Sequence, residues 1–130
     1  MIAINLSGIQ ANEKLHNLGL ENGQVVTVKH HPEWDDNEKA LAIHDEMGNQ
    51  IGWIPKLETI VKYGKNAKEL GNVEEAQKQR DRYSNASFIR DHVWTDMYRN
   101  HINVEGKICR VQHDFDTGNI MSVSVMFDYM

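Results

Sequence analysis

Gly23-Gln24-Val25-Val26-Thr27-Val28-Lys29-His30-His31-Pro32 opens the stretch that decides the fold, and it continues through Ala40-Leu41-Ala42-Ile43 to Gly48-Asn49-Gln50-Ile51-Gly52-Trp53-Ile54-Pro55-Lys56. Val25 to His30 is rich in β-branched residues, which suit a pleated strand. Asn22-Gly23 before it is a strong turn signal. Pro32 to Lys39 is polar and acidic and reads as a loop or an edge. Ala40 to His44 is the next strand. Asp45 to Asn49 is a hairpin connection, with Gly48 available for a left-handed position. Gln50 to Ile54 returns, and Pro55 ends it because proline cannot donate to a ladder.

Outward from this centre, Ile2, Ile4 and Leu6 alternate with Ala3, Asn5 and Ser7, the two-residue period of a strand with one buried face. Ala11 to Leu18 predicts two helical turns stopped at Gly19. On the other side, Leu57, Ile60 and Val61 predict a short helix from about Lys56 to Tyr63, stopped at Gly64, with a polar linker from Lys65 to Asn72. Asn72 with Glu75 three residues on resembles an N-cap and capping box. The pattern is helical from there to Arg99, with Ile89, Val93 and Met97 on one stripe that Trp94 and Tyr98 widen as packing residues. Ser84-Asn85-Ala86-Ser87 is a candidate break within it. Lys107 to His113 and a final strand with Val123, Val125, Phe127 and Tyr129 on one face make a hairpin around Asp116-Thr117-Gly118-Asn119. The expectation is a mainly β fold with inserted helices. It is a six-stranded small barrel with a short helix after strand four and a helical insertion before the last hairpin.

The chain has 130 residues, 40% hydrophobic and 25% charged, which reads as one domain over 1–130. Barrel strands one to four occupy 1–65, the helical insertion 66–100 and the hairpin 101–130. No apolar run approaches the roughly 20 residues that span a bilayer, and no signal peptide is evident. A single cysteine, Cys109, allows no internal disulfide, so the expected location is cytoplasmic, with no membrane association. The net charge of −5 lacks the positive excess of a duplex-coating protein. Any nucleic-acid binding is therefore expected to be local.

No catalytic motif is present. Ser7-Gly8 lacks the flanking pattern of a nucleophile elbow, there is no phosphate loop, and Cys109 lies in a predicted strand without a partner motif. The chain reads as a non-enzyme. His30-His31 with His44 or His113 invites a metal reading, but adjacent strand residues point to opposite faces, and zinc and calcium spacings are missing. No metal or cofactor is expected.

The stretch resembles the core of the HIRAN domain, a small β module of DNA-repair translocases and of free-standing bacterial or phage proteins. Ile2 to Leu6, Ser7-Gly8 and Gln10 are similar to its opening. Leu20-Glu21-Asn22-Gly23-Gln24-Val25 is similar to its entry to strand two, and Ala40 to Ile43 to its third strand. Gly48 to Lys56 resembles Gly-x-x-Ile-Gly-Tyr-Ile-Pro-Arg and is the most specific piece. The resemblance implies an OB/SH3-like barrel that binds single-stranded DNA or a 3′-hydroxyl DNA end, with an aromatic platform for stacking. It places Trp53 at the aromatic position and Lys56 at the basic one.

In the loop, this chain departs from the family's Arg-x-Pro-x-Asn-Pro-Tyr-Asp-x-Asn-Ala. An ungapped match puts His30 at the Arg and Asn37 at the Asp. A shifted match makes Trp34-Asp35 the aromatic–acid pair. Both lose the Arg, and four acids (Glu33, Asp35, Asp36, Glu38) oppose phosphate. Two functions therefore stand as expectations. The first is a module that grips single-stranded DNA or DNA ends through Trp34 or Trp53, Lys56, and Lys29 or His30, with Asp35 and Asn37 nearby. The second is a protein-interaction module of phage or mobile-element type, whose acidic loop and helical insertion meet a basic partner.

Overall fold

Val123, Val125 and Phe127, three positions of one period-two face, are wholly buried, and they lie on the last strand of the chain. The computed structural model describes residues 1–9, 12–30 and 40–129. Within them run β1 (Ile2–Asn5), β2 (Val25–His30), β3 (Leu41–His44), β4 (Gln50–Trp53), α1 (Leu57–Glu69), α2 (Val73–Tyr98), β5 (Glu105–His113) and β6 (Ile120–Phe127). The strands form one antiparallel sheet in the order β1-β6-β5-β2-β3-β4. The expected mainly β architecture with inserted helices is the one observed.

The sheet curls, and the cause is visible in its register. Ile108 pairs with Val125 but Arg110 with Ser124, so Cys109 is an extra residue in β5. The register shifts again between Gln112 and His113, and between Ile43 and His44 against β4. Each bulge bends its strand and increases the local twist. The two ends of the sheet consequently meet: Ser7, just past β1, bridges Trp53 at the end of β4, with reciprocal N–H···O bonds of 2.9 Å. The result is a half-barrel curled around Ile4, Leu6, Val26, Val28, Leu41, Ile43, Ile51, Ile54 and Ile108. Full burial of each such aliphatic side chain contributes about 1.5–3 kcal/mol. Ile89 and Val93 of α2, both wholly buried, enter the same core, so the helix completes the interior the strands leave open.

The helices depart from the expectation in three places. α1 does not stop at Gly64; it runs to Glu69 and leaves only 70–72 as linker. Ile60, Gly64 and Ala67 form one stripe facing α2, and a Cβ on Gly64 would sit 3.4 Å from the Tyr83 ring. Close packing there offsets the roughly 1 kcal/mol helix cost of glycine. α2 is not broken at 84–87 either, because Ala86 turns inward and is buried while Ser84 is exposed to water. The two helical turns expected over Ala11 to Leu18 reduce to a single 3₁₀ turn, Leu15–Asn17, that buries Leu15. The N-cap at Asn72 is as read, its side chain accepting from the N–H groups of Glu74 and Glu75, but the reciprocal bond of a capping box is not formed. Glu75 itself pairs with Lys78 at 3.2 Å. Among the described residues no helix is long and apolar enough to cross a membrane.

Candidate nucleic-acid interface

The ends of β2, β3 and β4 line up in two neighbouring rows. Lys29 pairs with Ala42, and Ala42 with Trp53. His30 pairs with Leu41, whose carbonyl accepts from Ile54 at 2.9 Å. Directly paired residues share a face, so Lys29 and Trp53 lie on the same side of the sheet, two strand spacings or about 10 Å apart. Lys29 is exposed. Trp53 is half-buried, and its indole leans toward Gly8 rather than toward Lys29: a Cβ on Gly8 would be 2.8 Å from Trp53 Cδ1. Gly8 has φ +77°, a conformation glycine takes without strain. Trp53 also lines a groove with Asn12, Lys14 and Asn49.

Lys56 is exposed and extended at the N-terminal boundary of α1, immediately after Pro55. Trp34, Asp35 and Asn37 lie outside the described residues. Of the sequence-derived candidates, Lys29, His30, Trp53 and Lys56 therefore fall around one rim, formed by the C-terminal ends of β2 and β4.

The rim holds a group of residues that sequence reasoning did not assign to it. Arg90, Trp94 and Tyr98 recur every fourth residue on α2 and so share one face. Arg90 is buried, and its Nη1 donates to the Pro55 carbonyl at 3.1 Å. One turn on, the Trp94 ring stands edge-on to His30, with centroids 5.1 Å apart at 83°. One further turn on, Tyr98 does the same at 5.2 Å and 88°. Its hydroxyl and His30 Nδ1 share a hydrogen bond. Trp94 and Tyr98 lie over one another, with centroids 4.1 Å apart at 30°. These edge-to-face and offset contacts suit the quadrupoles of the rings. Burial pushes the Tyr98 phenol above its ordinary pKa. Trp94 packs partly against the core, while Tyr98 remains 43% exposed.

The stripe spans about 12 Å along the helix, at 1.5 Å per residue. It runs from Pro55, which precedes Lys56, to His30, whose strand neighbour Lys29 points to the opposite face of the sheet. The four-residue spacing of an arginine and two rings was the available sequence signal. Which strand end they would meet was not, since the arginine's contact lies 35 positions away in sequence and those of the rings more than 60. Tyr129 and Asp96 fix the same helix from another side, with Tyr129 Oη donating to Asp96 Oδ2 at 2.7 Å. Cys109, expected to be buried, is half-buried at its bulge, and desolvation raises its thiol pKa. Among the described residues no group of three or more His, Cys, Asp and Glu is arranged to hold a metal. Comparison of the chain with protein-family models, with curated proteins and with solved structures returns no match.

Proposed function

We propose that the chain is a non-catalytic nucleic-acid-binding module that takes a single-stranded DNA segment or strand end along the rim between Lys29 and Lys56. The observation that carries the reading is the Trp94–Tyr98 ring pair, edged by His30 and part-exposed, with exposed Lys56 following Pro55 at one end of the stripe and exposed Lys29 on the outer face of the sheet at the other. A base stacks on any accessible aromatic face, which makes such a surface tolerant of sequence. Lysines at the two ends neutralise phosphates on either side of the stacked base. The acidic balance of the whole chain fits a local contact of this kind better than a broad duplex-coating surface. The HIRAN resemblance of Gly48 to Lys56 supports the same polymer and the same end of the sheet. In this reading Tyr98 takes the exposed stacking position, and Trp53 supports the barrel seam through Gly8.

The test is fluorescence anisotropy with short labelled oligo-dT, carrying either a 3′-hydroxyl or a 3′-phosphate, at low salt. Binding is expected to weaken about 5- to 100-fold in Tyr98→Ala, the range of one lost base stack, and to weaken in Lys56→Glu. A wild-type protein that binds none of these oligonucleotides at low salt would withdraw the proposal. So would binding that is indifferent to both substitutions.

A further inference from the structure

The hairpin of α1 and α2 carries a second surface, on side chains separate from the rim. A groove of about 600 Å³ runs between the helices. Val61 and Ala67 of α1 and Tyr83 of α2 line its apolar part, with Gly64 between them letting the Tyr83 ring come close. Val61 and Tyr83 are 41% and 44% exposed, although both are large and apolar. Leu70 and Val73, at the turn of the same hairpin, are also exposed.

Lys65, Lys68 and Arg80 flank this floor, and no acid lines it. Among the described residues none of the three makes an ion pair; Arg80 donates only to the neutral Gln77, at 2.9 Å. The surrounding sequence is biased in the same direction. α1 itself carries Lys62, Lys65 and Lys68 against Glu58 and Glu69, a positive excess in a chain whose net charge is −5. A helical insertion expected to meet a basic partner thus presents a cationic groove.

We infer that this groove docks an acidic, amphipathic segment of a partner protein, most simply a short helix laid along the hairpin. The apolar floor needs aliphatic or aromatic anchors at helical spacing, and the cations need carboxylates beside those anchors. The 13-residue α1 offers about 20 Å of length at 1.5 Å per residue, enough for three or four turns of a bound helix. Tyr83 is the one ring lining this floor, and the aliphatic Val61 and Ala67 beside it, with Leu70 nearby, offer no flat face for further bases, which favours a peptide over a nucleic acid. Exposed apolar area rimmed by charge is the usual mark of a protein-docking surface.

The experiment is selection of a random peptide display library, about sixteen residues long, against the full chain, followed by anisotropy on the synthesised winners. The selected peptides are expected to be acidic, with large apolar residues spaced by three or four. Lys65→Glu combined with Lys68→Glu should weaken them on the order of tenfold. Val61→Asp should weaken them independently while leaving the helical circular-dichroism signal intact. Lys29→Glu with Lys56→Glu should leave peptide binding unchanged, which separates this surface from the rim. Winners without acidic bias, or indifferent to the groove substitutions, would overturn the inference. Displacement of the peptide by oligo-dT cross-linked at Lys65 would assign the groove to nucleic acid instead. A monomer–dimer equilibrium abolished by the same charge reversals would assign it to a second copy of the chain. Either result defeats the proposal.

Discussion

Arg90 is buried in the middle of α2, and its guanidinium donates to the carbonyl of Pro55, the residue that ends the β4 edge of the sheet. This contact joins the helical insertion to the barrel at the candidate interface. Pro55 has no N–H, so its carbonyl is its only strong backbone hydrogen-bonding group. Removing the donor leaves that buried acceptor without this partner, at a cost of about 1–3 kcal/mol. Arg90→Ala is therefore expected to lower stability by about 2 kcal/mol, seen as a lower urea midpoint at unchanged slope. Arg82→Ala, on the exposed face of the same helix, should stay within about 0.5 kcal/mol of wild type. Equal midpoints for the two variants would remove Arg90 as the anchor.

The seam between β1 and β4 depends on a missing side chain. Gly8 is both left-handed, at φ +77°, and pressed by Trp53 Cδ1 to within 2.8 Å of any added Cβ. Gly23 has a similar φ of +90° with open space around it. Alanine at Gly23 bears only the backbone cost, about 1–2 kcal/mol. Gly8→Ala should cost more than Gly23→Ala, because the indole must also shift. The tryptophan emission spectrum should move in Gly8→Ala and stay in place in Gly23→Ala. Replacing Trp53 with Phe in the Gly8→Ala background should recover part of the loss, which a simple backbone penalty would not allow.

The elements legible in the sequence are those encoded by local period or local chemistry. β6 was readable from Val123, Val125 and Phe127 because a strand exposes its faces alternately, and the start of α2 was readable from Asn72 because capping is a contact within three residues. Gly64 misled because its stop signal is local while the Tyr83 contact that overrides it is tertiary. Ser84 to Ser87 misled because the burial of Ala86 against the rest of the fold, which local polarity does not report, holds this turn helical while Ser84 faces solvent. The site divides in the same way. Lys29, Trp53 and Lys56 could be placed at strand ends from the turn and proline signals. The meeting of His30 with Trp94 and Tyr98 could not, because helix α2 reaches β2 only through the completed fold.

Asp96 gives the fold an acid-sensitive tie. Its carboxylate accepts from Tyr129 Oη at 2.7 Å and from Asn100 Nδ2 at 2.9 Å. The Tyr129 bond, then the Asn100 bond, hold its pKa below the ordinary carboxylate value. A pKa lowered by folding contributes stability that is complete above the unfolded value, near 3.9, and is lost as pH falls through the folded one. Tyr129→Phe should therefore lower the melting temperature at pH 7 by roughly 4 °C, for about 1 kcal/mol of lost hydrogen bonding. The gap between variant and wild type should narrow as pH falls below about 3.9 and through the lower pKa of the folded aspartate. A gap that widens on acidification would contradict the assignment of Asp96 as the stabilised charge.

Salt dependence distinguishes a local strand grip from general electrostatic adhesion. In the proposed reading Lys29 and Lys56 are the phosphate contacts, on a chain of net charge −5. For single strands, the slope of log affinity against log salt is about −0.7 per neutralised phosphate, so two contacts give about −1.4. Lys56→Glu should flatten the slope by at least about 0.7. Tyr98→Ala should weaken binding at every salt concentration without altering the slope, because stacking releases no counterions. Duplex DNA of equal length should bind more weakly, since its bases present no free face to the rings. Anisotropy titrations between about 20 and 200 mM salt measure all four quantities together. A slope steeper than about −4, or one that Tyr98→Ala changes while Lys56→Glu does not, would place the contact elsewhere on the molecule.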